Sequence, residues 1–143
     1  DKNIIFIHIG SRNKNIKILE HLKNYVIKLP FIDKKEVPNI YKVSDILFFP
    51  SIYEGFGMPL LEALSSGKPI VCSNNSSIPE VVADAALTTE YYNIDQLANN
   101  ILKLFNNKDF YKKMSLKSLN RAKFFNIDKF HDNLINIYKE ELN

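Results

Sequence analysis

Residues 46–72, ILFFPSIYEGFGMPLLEALSSGKPIVC, read as a strand, a loop, a helix and a second strand. Ile46-Leu47-Phe48-Phe49 is an unbroken apolar run stopped by Pro50, the pattern of a strand covered on both faces. Ser51 to Met58 is a loop. Pro59 to Ser66 is expected as a helix, because proline suits a first helical turn and Gly67 suits a C-terminal end. Pro69-Ile70-Val71-Cys72 is the next strand.

The same alternation continues on both sides. Upstream, Ile4 to Ile9 is a nearly continuous apolar run ending at Gly10, followed by a polar loop from Ser11 to Asn15. Ile18, Leu19 and Leu22 recur at helical spacing, and Tyr25 to Leu29 is a strand closed by Pro30. Lys34 to Ser44 reads as a short helix with Pro38 in its first turn and Val37, Ile40, Tyr41 and Val43 apolar. Downstream, Asn74 to Ser77 is a polar loop, Pro79 to Ala83 one helical turn, and Ala86-Leu87-Thr88 a short strand. Three amphipathic helices then close the chain, marked by Ile94, Leu97, Ile101, Leu104 and Phe105, by Phe110 to Phe125, and by Phe130, Leu134, Ile137 and Tyr138. Strands alternating with helices argue an α/β fold with a Rossmann-like parallel sheet flanked by helices, here with a helical C-terminus.

Composition agrees with one packed domain over residues 1–143. Hydrophobic residues make up 45% and charged residues 24%, and ten Phe and seven Tyr can build a core. The net charge of +3 comes from lysines interleaved with acids, not from the clustered stripe that nucleic acid requires, so no nucleic-acid partner is expected. The one cysteine, Cys72, cannot form an internal disulfide, which fits a reducing compartment, and it is expected to be a buried, inert strand residue. No apolar run is long enough to cross a bilayer, and no signal-peptide pattern opens the chain. The absence of an initiator Met suits a piece of a longer polypeptide.

Ligands of open parallel sheets bind at the carboxyl ends of the strands. That directs attention to the loops after Ile9, Leu29, Phe49 and Cys72. The loop after Phe49 holds two of the four glycines in the chain, Gly55 and Gly57, and a helix follows at once. Glycines let backbone amides approach a ligand, and a helix start favours an anion, phosphate above all. Glu62 is expected in the first turn of that helix, within reach of hydroxyls beside a phosphate, and Glu54 just before the glycines. A bare G-x-G pair would mean no more than a tight strand–helix connection, with Glu62 complementing the helix dipole. The thirteen residues from Pro50 to Glu62 are far more specific.

Glu54 and Glu62 form E-x7-E within EGFGMPLLE. That string resembles the signature of the retaining glycosyltransferases of GT-B fold in the glycosyltransferase 4 group (glycosyl transferases group 1). Ala63 and Gly67-Lys68-Pro69-Ile70-Val71 resemble the continuation of the motif. Ser73-Asn74, Ser76 to Val82 and Asp84 to Leu87 resemble the next loop and strand, and Val43 to Ile46 with Pro50-Ser51 the segment before it. The resemblance implies the nucleotide-sugar-binding C-terminal half of a two-domain enzyme. Carried over by position, the amides of Gly55, Phe56, Gly57 and Met58 face the donor sugar and diphosphate, and Glu62 takes the ribose hydroxyls. Glu54 takes the sugar hydroxyls and, as the candidate catalytic residue, steadies positive charge near the anomeric carbon. Lys28 and Leu29 lie beside the nucleobase, and Ser77 is a lesser wall residue.

The resemblance further implies retention at the anomeric carbon, no metal and no cofactor beyond the nucleotide-sugar donor substrate. The sequence itself offers neither Asp-x-Asp nor a His/Cys cluster of metal-ligand spacing. Its implied partners are the donor, a glycan or lipid-linked acceptor, and an N-terminal acceptor domain missing from this chain. A cytoplasmic setting is expected, compatible with peripheral association at the inner face of a membrane. Family members place an Arg and a Lys after the first strand of this half. Ile4–Ile9 is read as the second strand, so the first strand and its cations are expected to be absent; the alternative makes Ile4–Gly10 the first strand, with Arg12 and Lys14 as those cations. The isolated domain is then expected to be inactive. Two alternatives stay open: a non-catalytic nucleotide-sugar binding module or subunit of a split transferase, and a flavodoxin-like regulatory domain, the latter disfavoured because no Asp follows Ile9. His8 is expected to be structural, His21 and His131 solvated, and the last helix, Asp128 to Leu142, a packing element.

Overall fold

The structure, a computed structural model, describes residues 4–10 and 20–142. The expected loop from Ser11 to Asn15, the cation candidates Arg12 and Lys14, and Ile18 and Leu19 lie outside them. The chain divides into two compact units, Asp1–Ile40 and Tyr41–Asn143. In the first, β1 (Phe6–Ile9) pairs in parallel with β2 (Val26–Leu29), with Phe6 opposite Val26 and Ile9 opposite Leu29. The segment before β2 that carries Leu22 is a 3-10 helix, Glu20–Tyr25, and His21 is exposed on it. Helix α1 (Val37–Val43) crosses the boundary between the units in sequence, with Pro38 in its first turn as expected.

The second unit holds β3 (Leu47–Phe49), β4 (Ile70–Ser73) and β5 (Ala86–Thr89), all parallel, with β4 in the centre. One continuous sheet was the expectation. Among the described residues the strands instead form two hydrogen-bonded ladders, β1-β2 and β3-β4-β5. Apolar runs mark where strands are, but not which strand takes which neighbour.

Every residue of β4 is buried, and its side chains alternate between two cores. Ile70 and Cys72 point to the side covered by α2 (Met58–Ser65) and α3 (Ile78–Val82), where Leu60, Ala63, Leu64, Ile78, Val81 and Val82 are buried. Leu60, Ala63 and Leu64 follow the i, i+3, i+4 spacing of one helix face. Val71 points to the other side, against Leu97 and Leu104 of α4 (Ile94–Asn106) and Met114 of α5 (Lys108–Ala122). A parallel sheet with helices on both faces is thus built around β4.

Helix ends follow local chemistry. Asn93, Asn107 and Asn126 cap α4, α5 and α6 (Ile127–Glu141), each side chain accepting from an amide of the first turn. Helix α2 ends with Gly67 at φ 64°, its N–H donating to Leu64 O and that of Lys68 to Ala63 O. Ser115 and Ser118 of α5 donate to the carbonyls of Gly67 and Lys68 at 2.7 and 3.0 Å, fastening that turn. No residue of α6 is buried, and Ile127, Phe130, Leu134 and Tyr138 share an exposed apolar face. Its His131 is exposed, as expected. No helix among the described residues is long and apolar enough to cross a membrane.

Cys72 is fully buried, and burial pushes its thiol up to about 12. The folded chain holds that proton more tightly than the unfolded chain, whose thiol titrates near its ordinary value. The contribution is therefore complete below about pH 9 and is lost as pH climbs from there toward about 12. Denaturant midpoints are expected to fall in this window by about 1 kcal/mol of stability per pH unit. The slope should be shallower in Cys72→Val, and equal slopes in the two proteins would refute the assignment.

Candidate functional site

The loop between β3 and α2 carries the candidate residues. Gly57, at φ 86° and ψ 59°, turns the chain from loop into helix, and α2 begins at Met58, with Pro59 as its second residue. The helix starts one residue earlier than proline placement suggests, so Glu62 is its fifth residue, not part of its first turn. Its role as a simple dipole complement falls away, because the dipole's influence fades within the first turn.

Four successive amides precede or open this helix. Among the described residues, the N–H groups of Gly55, Phe56, Gly57 and Met58 have no intramolecular acceptor. Gly55, Phe56 and Met58 are exposed, and Pro59 contributes no donor. The segment is a set of fixed, unspent donors at the positive end of a helix dipole, the arrangement that accepts an anion. Phe56 meets Phe125 edge-to-face with ring centroids 5.7 Å apart, which braces the middle of the loop.

Both carboxylates are half-buried and held. The Glu62 Oε2 lies 3.1 Å from the Tyr41 hydroxyl, which is also 3.1 Å from Pro59 O. Burial, and then the adjacent Glu62 carboxylate, hold the Tyr41 hydroxyl well above its ordinary value, so it stays protonated as a donor. The Glu54 Oε1 accepts from Ser51 Oγ at 2.8 Å. The backbone of Glu54 is captured by the loop after β4. Its N–H donates to Ser76 Oγ at 3.1 Å, and its carbonyl accepts from Ser76 Oγ and, at 2.9 Å, from Ser77 Oγ. Ser73 Oγ donates to Ser51 O.

The structure thus gathers Glu54, Gly55, Phe56, Gly57, Met58 and Glu62 on one loop and helix start. Ser77 meets the Glu54 carbonyl rather than standing as a bare wall. Lys28 and Leu29 close β2 in the first unit, opposite His8 and Ile9. Tyr41, Ser51, Ser73 and Ser76 are partners to which the sequence reading gave no role in the site. Tyr41 could have drawn notice as a polar tip on the apolar face of an expected helix, but no local pattern links it to Glu62. Among the described residues no group of three or more His, Cys, Asp and Glu side chains is placed to hold a metal ion.

The profile of the family described as glycosyl transferases group 1 matches residues 1–121. An Escherichia coli protein, O-antigen chain mannosyltransferase B, is 34% identical over 117 residues, covering 82% of this chain and 31% of its own length. The chain thus spans about a third of the length of that curated relative. A glycosyltransferase structure from Rickettsia africae superimposes with a TM-score of 0.83 at 21% identity, over 99% of this chain and 41% of that one. Anabaena HepE in complex with UDP superimposes with a TM-score of 0.77 at 21% identity, over 84% of this chain and 34% of that one. The two structures establish the shared fold.

Proposed function

The chain belongs to the glycosyl transferases group 1 family, and we propose that it binds the nucleotide-diphosphate sugar of a retaining, metal-independent transferase acting on a glycan or lipid-linked acceptor. The observation that carries this reading is the run of four amides from Gly55 to Met58 with no acceptor among the described residues, set at the start of α2. A diphosphate is the ligand such a run suits.

In the transfer, the bond from the anomeric carbon to the diphosphate oxygen breaks, and the nucleoside diphosphate departs with the electron pair. A bond forms from that carbon to an acceptor hydroxyl oxygen, whose proton passes to the departing diphosphate oxygen. The amides of residues 55–58 stabilise the charge gathering on the leaving diphosphate. Glu62, steadied by Tyr41, accepts from the ribose hydroxyls. Glu54, held by Ser51, accepts from the sugar hydroxyls and opposes positive charge at the anomeric carbon. On this reading a further domain holds the acceptor, and the chain alone binds donor without turning it over. The relative named as an O-antigen chain mannosyltransferase supports an acceptor that is a glycan chain.

Thermal unfolding of the chain in millimolar UDP, GDP or ADP tests the donor site. A nucleotide at tenfold excess over its dissociation constant adds about 1.4 kcal/mol of stability. That raises Tm by roughly 3–6 °C. Glu62→Ala should abolish most of the rise. A Tm unmoved by all three nucleotides overturns the reading.

A further inference from the structure

We infer that Ser76, seconded by Ser77, is a positioning residue that aims the first amide of the donor-binding run; this rests on the donor-site reading above. The Ser76 hydroxyl accepts from the Glu54 N–H at 3.1 Å and donates to the Glu54 carbonyl, so one side chain captures both backbone groups of a residue 22 positions earlier. Ser77 Oγ adds a second donor to the same carbonyl at 2.9 Å. That carbonyl and the Gly55 N–H belong to one trans peptide unit, in which C=O and N–H point in opposite directions. Fixing the carbonyl toward the serine loop therefore turns the Gly55 N–H away from it, toward the open side of the β3–α2 loop. Gly55 cannot hold this direction itself, since it has no side chain and nothing lies within 4 Å of where a Cβ would sit.

The serine loop bears the marks of a segment shaped for a task other than stability. Ser76 sits at φ 57°, a left-handed conformation that is unfavourable for a residue with a Cβ. Its neighbour Asn75 keeps a buried Oδ1 without a hydrogen-bond partner among the described residues. Glycine would suit the Ser76 backbone better, yet it would lack the hydroxyl.

That opposition supplies the test. Ser76→Gly relieves the backbone and deletes the clamp, so its Tm should equal or exceed that of the parent chain. Each protein is titrated with inorganic pyrophosphate, which carries the diphosphate without base or sugar, while the amide resonances of Gly55 to Met58 are followed by NMR. In the parent these resonances shift. In Ser76→Gly the dissociation constant is expected to rise about tenfold, as for one misaligned charge-assisted hydrogen bond. If the parent binds pyrophosphate and Ser76→Gly binds it equally well, the positioning role is wrong and the donor site stands. If the parent resonances fail to move with pyrophosphate or with UDP, the donor-site reading fails, and the role of Ser76 with it.

Discussion

Glu54→Gln in the whole transferase is expected to lower turnover by about two to three orders of magnitude, the loss typical when one preorganised electrostatic partner of a transition state is removed. The change is close to isosteric. A glutamine Oε1 can still accept from Ser51 Oγ, now 2.8 Å from the carboxylate, and the backbone clamp from Ser76 and Ser77 does not involve the side chain. Stability should therefore stay within about 0.5 kcal/mol of the parent, as for a substitution that leaves packing and caps intact. On the proposed reading, what is lost is a negative charge opposed to the positive character at the anomeric carbon. The measurement is single-turnover transfer from a nucleotide sugar, with donor affinity determined in parallel. A slow step with nearly unchanged donor affinity supports the assignment; wild-type turnover removes it.

The second large effect is on the fold of the site. Gly57→Ala would place a methyl group 2.8 Å from Leu60 Cδ1 and 3.4 Å from Leu60 Cγ, at a backbone φ of 86°. Leu60 is fully buried in the core beneath α2 and cannot swing aside into solvent. The left-handed backbone and the overpacking together should cost about 2–3 kcal/mol. That corresponds to a fall in Tm of roughly 5–10 °C. Gly55→Ala is the matched control, because nothing lies within 4 Å of its Cβ position. The two glycines, one residue apart in sequence, should separate clearly in thermal melts. Equal Tm values would show that Gly57 does not shape the helix start.

The parts of this molecule legible in its sequence are those whose cause is local. The apolar run Ile70-Val71-Cys72 announced a strand buried on both faces, and the run Ile46 to Phe49 announced β3, although Phe48 stays exposed there. Gly67 announced the end of α2 because that turn needs a left-handed residue. The start of α2 was misjudged by one residue because Pro59 suits the first helical positions generally and does not choose among them. What depended on distant partners was not legible. Nothing in the pattern around Tyr41 announces a carboxylate 21 positions later, nor does Ser76 announce a peptide 22 positions earlier. The division into two ladders escaped for the same reason, since an apolar run marks a strand without naming its neighbour.

The lone sulfur at the middle of β4 gives the experimenter a clock. Cys72 is the only thiol in the chain, sits in the central strand with no exposed surface, and is flanked by Phe49 on one side and Thr88 on the other. An alkylating reagent reaches it only when the sheet itself opens, so the rate of labelling counts excursions of the whole second unit, unconfused by any surface cysteine.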